Sequence, residues 1–192
     1  GLPRMIVVNR LDRDRSSFAR ALESIQEVFG RTAVPIQLPI GEEKDFNGIV
    51  DLISMKALIS KGEEKGGHEE QDIPADLNEE AESARNALME MVAEGDDGLI
   101  ERYFEAGELS TEDLLQGLKR AVLEGGIYPV LACSGTKNIG VQLLLDALVE
   151  LSPPPDARGE VEGTDTAGNV LKRKISMDEP GSAYIFKTVA DP

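Results

Sequence analysis

The order of apolar and polar positions divides the chain into strand-like and helix-like runs. Arg4-Met5-Ile6-Val7-Val8 is short, β-branched and without alternation, the pattern of a strand buried on both faces in a parallel sheet. Phe18, Leu22, Ile25 and Phe29 follow at helical spacing, with Gly30 at the C-cap position. Residues 34–40 and 46–53 read as two short strands, and Pro35 and Pro39 place the first at a sheet edge. Leu77, Ala81, Ala84, Leu88, Met91 and Val92 predict one helix. Leu114, Leu115, Leu118, Ala121 and Val122 predict another, opened by the capping sequence Ser110-Thr111-Glu112-Asp113. Residues 128–133 restore the buried-strand pattern. A helix built on Val141, Leu144, Leu145 and Leu148 then ends at Ser152-Pro153-Pro154-Pro155. Residues 61–73, rich in Gly, Glu and Lys, predict a mobile loop, residues 156–180 an exposed linker, and residues 182–189 a final strand.

The predicted organisation is α/β. Residues 1–30 form a strand–helix unit that resumes over 126–155. An acidic α+β subdomain is inserted over 31–125, a linker covers 156–180, and 181–192 begin a further domain. A chain that starts and stops against strands is expected to be an internal piece of a longer protein, because unpaired strand edges are a liability. Its 192 residues, 41% hydrophobic and 29% charged, suffice for a sizeable core.

Charge narrows the function classes. Thirty-six Asp and Glu against 20 Lys and Arg give a net charge of −16, which argues against autonomous nucleic-acid binding. Residues 61–120 alone hold 18 acids against 6 bases, a net of −12. No apolar run approaches the roughly 20 residues that span a bilayer, so no membrane partner is expected. A single cysteine, Cys133, permits no internal disulfide or multi-cysteine zinc site and points to a reducing cytoplasm. His68 has no sequence neighbours that would make it a metal ligand, and Lys172-Arg173-Lys174 is too short for a nucleic-acid patch.

Candidate chemistry lies at two strand ends. Asn9-Arg10-Leu11-Asp12 follows the first strand, where ligand sites of open α/β sheets lie. A fixed Asp12 carboxylate suits guanine, which offers a donor pair at N1–H and the exocyclic amine; adenine would leave the buried charge unpaired. Asn9 would tie neighbouring loops, and the apolar stem of Arg10 would lie over the base. Ser134-Gly135-Thr136-Lys137 follows the second buried strand. A parallel sheet would bring it beside the first turn, with Ser134 buttressing Asp12 and the Gly135 N–H facing guanine O6. Alone, Asn9–Asp12 reads first as an ordinary turn and Ser134–Lys137 as a plain strand-to-helix loop. Asp45-Phe46-Asn47-Gly48 matches D-x-x-G but lies between two predicted strands of the insertion, and reads as a hairpin turn.

Together these elements resemble the guanine-reading half of the translational GTPases. The longest matching stretches, Val34-Pro35-Ile36-Gln37-Leu38-Pro39-Ile40-Gly41 with residues 46–57, and Lys137-Asn138-Ile139-Gly140-Val141-Gln142-Leu143-Leu144-Leu145-Asp146, are similar to elongation factor G. So is Glu179-Pro180-Gly181-Ser182-Ala183, which resembles the start of that family's β-barrel second domain. The resemblance implies the C-terminal half of a P-loop-type G domain with an inserted subdomain, in a GTPase that drives ribosomal translocation. It assigns guanine-nucleotide (GTP/GDP) contacts to Asn9, Arg10, Asp12, Ser134, Gly135 and Thr136, and gives the acidic insertion a docking role toward the ribosome and its stalk protein. Two positions depart from the family pattern: Arg10 replaces the usual lysine, and Gly135 stands at the alanine position. No G-x-x-x-x-G-K-[ST] phosphate loop occurs, so phosphate and Mg²⁺ would be held by residues outside this chain, and alone it is expected to be inactive. The competing expectations are a non-catalytic interaction scaffold and a ribosome-recycling or paralogous translational GTPase.

Overall fold

The computed structural model describes residues 2–62, 67–165, 167–181, 183 and 186–189. The chain divides into two units, Gly1–Ser152 and Pro153–Pro192. In the first unit, β1 (Ile6–Val8) leads through α1 (Phe18–Phe29) to β2 (Ala33–Pro35). There follow β3 (Gln37–Ile40), β4 (Gly48–Asp51), β5 (Lys56–Ser60) and β6 (His68–Gln71), then α2 (Asn78–Ala93), α3 (Asp97–Ala106) and α4 (Thr111–Glu124). β7 (Tyr128–Ala132) and α5 (Val141–Leu151) close the unit. The fold is mixed α/β: a parallel sheet in the order β1-β7-β2 and an antiparallel meander β3-β4-β5-β6.

Adjacency of β1 and β7, in register Ile6 with Val130 and Val8 with Ala132, sets their C-terminal ends side by side. β7 is buried over its last four residues. β1 is not buried on both faces as its composition predicts, because it lies at the sheet edge and Val7 is exposed. Ser17 caps α1 by accepting from Arg20 N–H, and Gly30 ends it at φ 69°.

The run 34–40, predicted as one strand, is two. β2 pairs parallel to β7 and β3 pairs antiparallel to β4, with Ile36 between them. Ile36 N–H donates to Val130 O at 3.1 Å, and its carbonyl accepts from Leu52 N–H at 3.1 Å. The expected insertion from residue 31 therefore gives its first strand to the parallel sheet. Gln37, buried, accepts from Ala132 N–H at 3.2 Å and ties β3 to β7.

Three further elements differ from the sequence expectations. Where a loop is predicted over 61–73, residues 68–71 pair with β5 as β6; Glu63, Glu64, Lys65 and Gly66 lie outside the described residues. α3 has no predicted counterpart. Leu99 is buried, Ile100 and Tyr103 pack against the core half-buried, and Asp96 caps the helix through Gly98 and Leu99 N–H. α5 turns Leu143, Leu144, Ala147 and Leu151 inward and leaves Leu145 and Leu148 exposed, since apolar residues surround this helix. α2 and α4 cross closely at Gly117, where a Cβ would come within 2.4 Å of Val92 Cγ1.

In the second unit the expected linker is a 3₁₀ turn, Pro155–Arg158, followed by the antiparallel pair β8 (Glu160–Thr164) and β9 (Val170–Lys174). Ladder bonds stabilise this hairpin with little apolar burial, which is why composition alone reads as a linker. Of the strand expected over 182–189, Ser182, Tyr184 and Ile185 lie outside the described residues, and Ala183 and 186–189 belong to no element. No helix among the described residues is long and apolar enough to cross a membrane.

Candidate functional site

The parallel pairing continues one step past the strands. Cys133 N–H donates to Val8 O at 3.0 Å, and Leu11 N–H to Cys133 O at 3.4 Å. Leu11 is buried, which anchors the first turn and leaves Asn9 and Arg10 exposed on either side of the chain's path. Arg10 adopts φ 66°, a left-handed backbone uncommon for a non-glycine residue.

Two side chains join the turns. Ser134, fully buried, donates its hydroxyl to Asp12 Oδ1 at 2.6 Å and accepts from Lys137 N–H at 3.1 Å. Asn9 Oδ1 accepts from Gly135 N–H at 3.0 Å, from Arg10 N–H at 2.7 Å and from the Cys133 thiol at 3.4 Å. The second turn is closed on itself by Ser134 and Ile139, which exchange backbone bonds of 2.9 and 3.0 Å. Gly140 completes it at φ 75°, where a Cβ would meet Ala132 O at 2.5 Å, so only glycine fits.

The Asp12 side chain is 7% exposed, with Arg13 Nε 3.7 Å from Oδ2. The Ser134 hydroxyl holds its carboxyl below the usual aspartate value. The Asp12 backbone N–H and the Arg13 and Lys137 charges act in the same direction, against burial. It is therefore a charged acceptor at neutral pH, with one oxygen braced and the other toward the Arg13 side. Burial pushes the Cys133 thiol up, which suits a packed thiol and not a nucleophile.

Of the six predicted residues, Asn9, Asp12, Ser134 and Gly135 are joined directly. Arg10 and Thr136 are exposed and their side chains make no hydrogen bond among the described residues. One expectation is corrected: the Gly135 N–H is given to Asn9 instead of being free to face a ligand, because the Asn9 carboxamide reaches across the gap between the turns. Three contributors escaped the sequence reading. Gln37 holds the β7 backbone just before the second turn, Lys137 Nζ donates to Lys44 O at 3.2 Å, and Glu43 Oε1 accepts from Arg15 N–H at 2.9 Å. Lys137 lies in the quoted turn, whereas Glu43 and Gln37 carry no local sequence signal.

The two turns together hold a fixed carboxylate, braced by a buried hydroxyl, between exposed polar residues. Among the described residues no group of three His, Cys, Asp or Glu is placed to hold a metal ion. A carboxylate so held can accept two neighbouring donors along one edge of a planar ligand. Clefts of about 220, 210 and 450 Å³ elsewhere in the first unit are lined by none of the six predicted residues, though Gln37 borders the second.

No protein-family model matches the chain. A solved structure of a Thermus thermophilus protein, ttk003000868, is similar: 34% identity and a TM-score of 0.73 over 84% of this chain and 24% of that one. The chain thus spans about a quarter of that protein's length, and the shared architecture is the mixed α/β fold described above.

Proposed function

We propose that this chain is the base-reading part of a guanine-nucleotide-binding protein, a translational GTPase of the elongation factor G type acting on the ribosome in the cytoplasm. In this reading residues 1–35 and 126–152 are the C-terminal half of a G domain. The antiparallel sheet with α2–α4 is the inserted subdomain that docks to the ribosome and its stalk protein. The supporting observation is the bond from Ser134 to Asp12, which fixes a charged acceptor between two strand-end turns. Asp12 accepts from guanine N1–H and the exocyclic amine, and the Arg10 stem lies over the base. The O6 contact falls to Thr136 N–H, which has no partner among the described residues.

Phosphate and Mg²⁺ binding, and hydrolysis of GTP, belong to residues outside this chain. The test is nucleotide binding by the intact protein. GTP is expected to bind far more tightly than ATP, and Asp12→Asn to remove most of that preference, because an amide offers one acceptor where the carboxylate offers two. Equal binding of GTP and ATP by the unaltered protein would end the guanine reading.

A further inference from the structure

Among the described residues five non-glycine residues have positive φ, and four of them lie in three turns that contact one another beside Asp12. Arg10 (66°) and Arg15 (64°) are in the first turn, and Asn138 (53°) is in the second. Glu43 (51°) is in the 3₁₀ turn Glu43–Asp45 between β3 and β4. Strained backbone persists where its surroundings over-determine it, and it concentrates at functional sites. The third turn belongs to the antiparallel sheet, yet it contacts both strand-end turns. Glu43 Oε1 accepts from Arg15 N–H at 2.9 Å, Lys44 Nζ lies 3.9 Å from Asp14 Oδ1, and Lys44 O accepts from Lys137 Nζ at 3.2 Å.

The brace is rigid at its root. Phe46 is fully buried directly after it, and Asn47 N–H donates to Ile40 O at 3.0 Å. Gly41 is wound so tightly that a Cβ would run into Asp45 O at 2.1 Å. On the other side, Arg15 O accepts from Arg20 Nη2 at 2.6 Å, so that residue is held at its N–H and at its carbonyl. Arg13 N–H donates to Arg10 O and Ser16 N–H to Arg13 O, both at 3.1 Å, and the Ser16 hydroxyl donates to Leu11 O at 2.7 Å. These bonds tie the backbone on both sides of Asp12 into the turn that carries Arg15.

We infer that Glu43, offered from the antiparallel sheet, is a positioning residue for Asp12: it pins Arg15 and so fixes the carboxylate that reads the purine edge, an inference that rests on the guanine reading above. It touches no base itself. Its effect belongs to the alignment of two acceptor oxygens with two donors, so it should appear in discrimination between guanine and hypoxanthine, which lacks the exocyclic amine.

The test uses the intact protein with GDP, IDP and ADP. Glu43→Ala keeps a Cβ at position 43 and removes the acceptor together with its charge, and Glu43→Gln separates the two. It is expected to weaken GDP binding about threefold to tenfold and to shrink the GDP-over-IDP ratio. Glu43→Gln retains an acceptor oxygen and should restore both. In this chain, the Arg15 amide should exchange with solvent more slowly in the unaltered and Gln forms than in the Ala form. Should the Ala variant fail to fold, Glu43→Asp, one methylene short of Arg15, takes its place with the same readouts. An unchanged GDP-over-IDP ratio in the shortened or truncated variant, or an Arg15 amide equally unprotected in every form, overturns the inference while guanine preference stands. Loss of preference for GDP over ADP in the unaltered protein overturns the guanine reading itself, and this inference with it.

Discussion

Ser134 and Asp12, 122 positions apart, are joined by a 2.6 Å hydrogen bond from Oγ to Oδ1. The same hydroxyl receives Lys137 N–H, so one buried oxygen sets both the carboxylate and the backbone of the opposing turn. Ser134→Ala leaves both partners short of a bond. It should cost about 1–3 kcal/mol of unfolding free energy, read as a lower midpoint in urea with an unchanged slope. A midpoint equal to that of the unaltered chain would show that the hydroxyl contributes nothing.

The acid side of the stability curve reports the same contact. Asp12 is held below its ordinary value of 3.8, chiefly by the Ser134 hydroxyl. A depressed carboxyl contributes its full stability above the unfolded value, and that contribution is lost as pH falls through the folded one. Asp96 and Asp165 are depressed too, so the informative quantity is a difference. The stability advantage of the unaltered chain over Asp12→Asn should be constant near neutrality and shrink below pH 3.8. An advantage that grows on acidification would reverse the sign and refute the assignment.

Two glycines of the second turn answer alanine oppositely. At Gly135 a Cβ would sit 3.8 and 3.9 Å from the Asn9 amide atoms, ordinary contact, and φ is not positive. Gly135→Ala should therefore stabilise by about 0.4–1 kcal/mol through the unfolded chain. At Gly140 φ is 75° and a Cβ would strike Ala132 O, so Gly140→Ala should destabilise by at least about 1–2 kcal/mol. Thermal melts of the two variants that moved in the same direction would contradict the turn geometry.

Gln37→Leu preserves volume and removes the acceptor for Ala132 N–H in a buried setting. A loss of about 1–3 kcal/mol is expected, with faster exchange of the Ala132 amide. Protection of that amide at its original level would mean that Gln37 does not hold β7.

The strand ends were legible because chemistry and pattern coincide there. Apolar runs stop at Asn9 and Ser134, and parallel pairing of β1 with β7 then dictates that their turns meet. The unbroken pattern through residues 34–40 hid the change of sheet at Ile36, because a strand leaving one sheet for another keeps its apolar positions buried in both. β6 reads His-Glu-Glu-Gln and is held by its ladder to β5, so no hydrophobic alternation announces it. α3 turns only a short set inward, Leu99, Ile100 and Tyr103, a signal spread over barely more than one helical turn. In the site, Asp12 and Ser134 could be paired from topology. The Asn9 claim on the Gly135 N–H and the reach of Glu43 to Arg15 depend on distances that no local pattern encodes.

The change of sheet at Ile36 carries a mechanical consequence. Its N–H is committed to Val130 and its carbonyl to Leu52, while the next residue grips Ala132. Shear of the meander against the parallel layer must tear these bonds at a single stretch of backbone before anything slides. A push on the far strands therefore reaches the turns at Asn9 and Ser134 as leverage, undamped by an intervening tether.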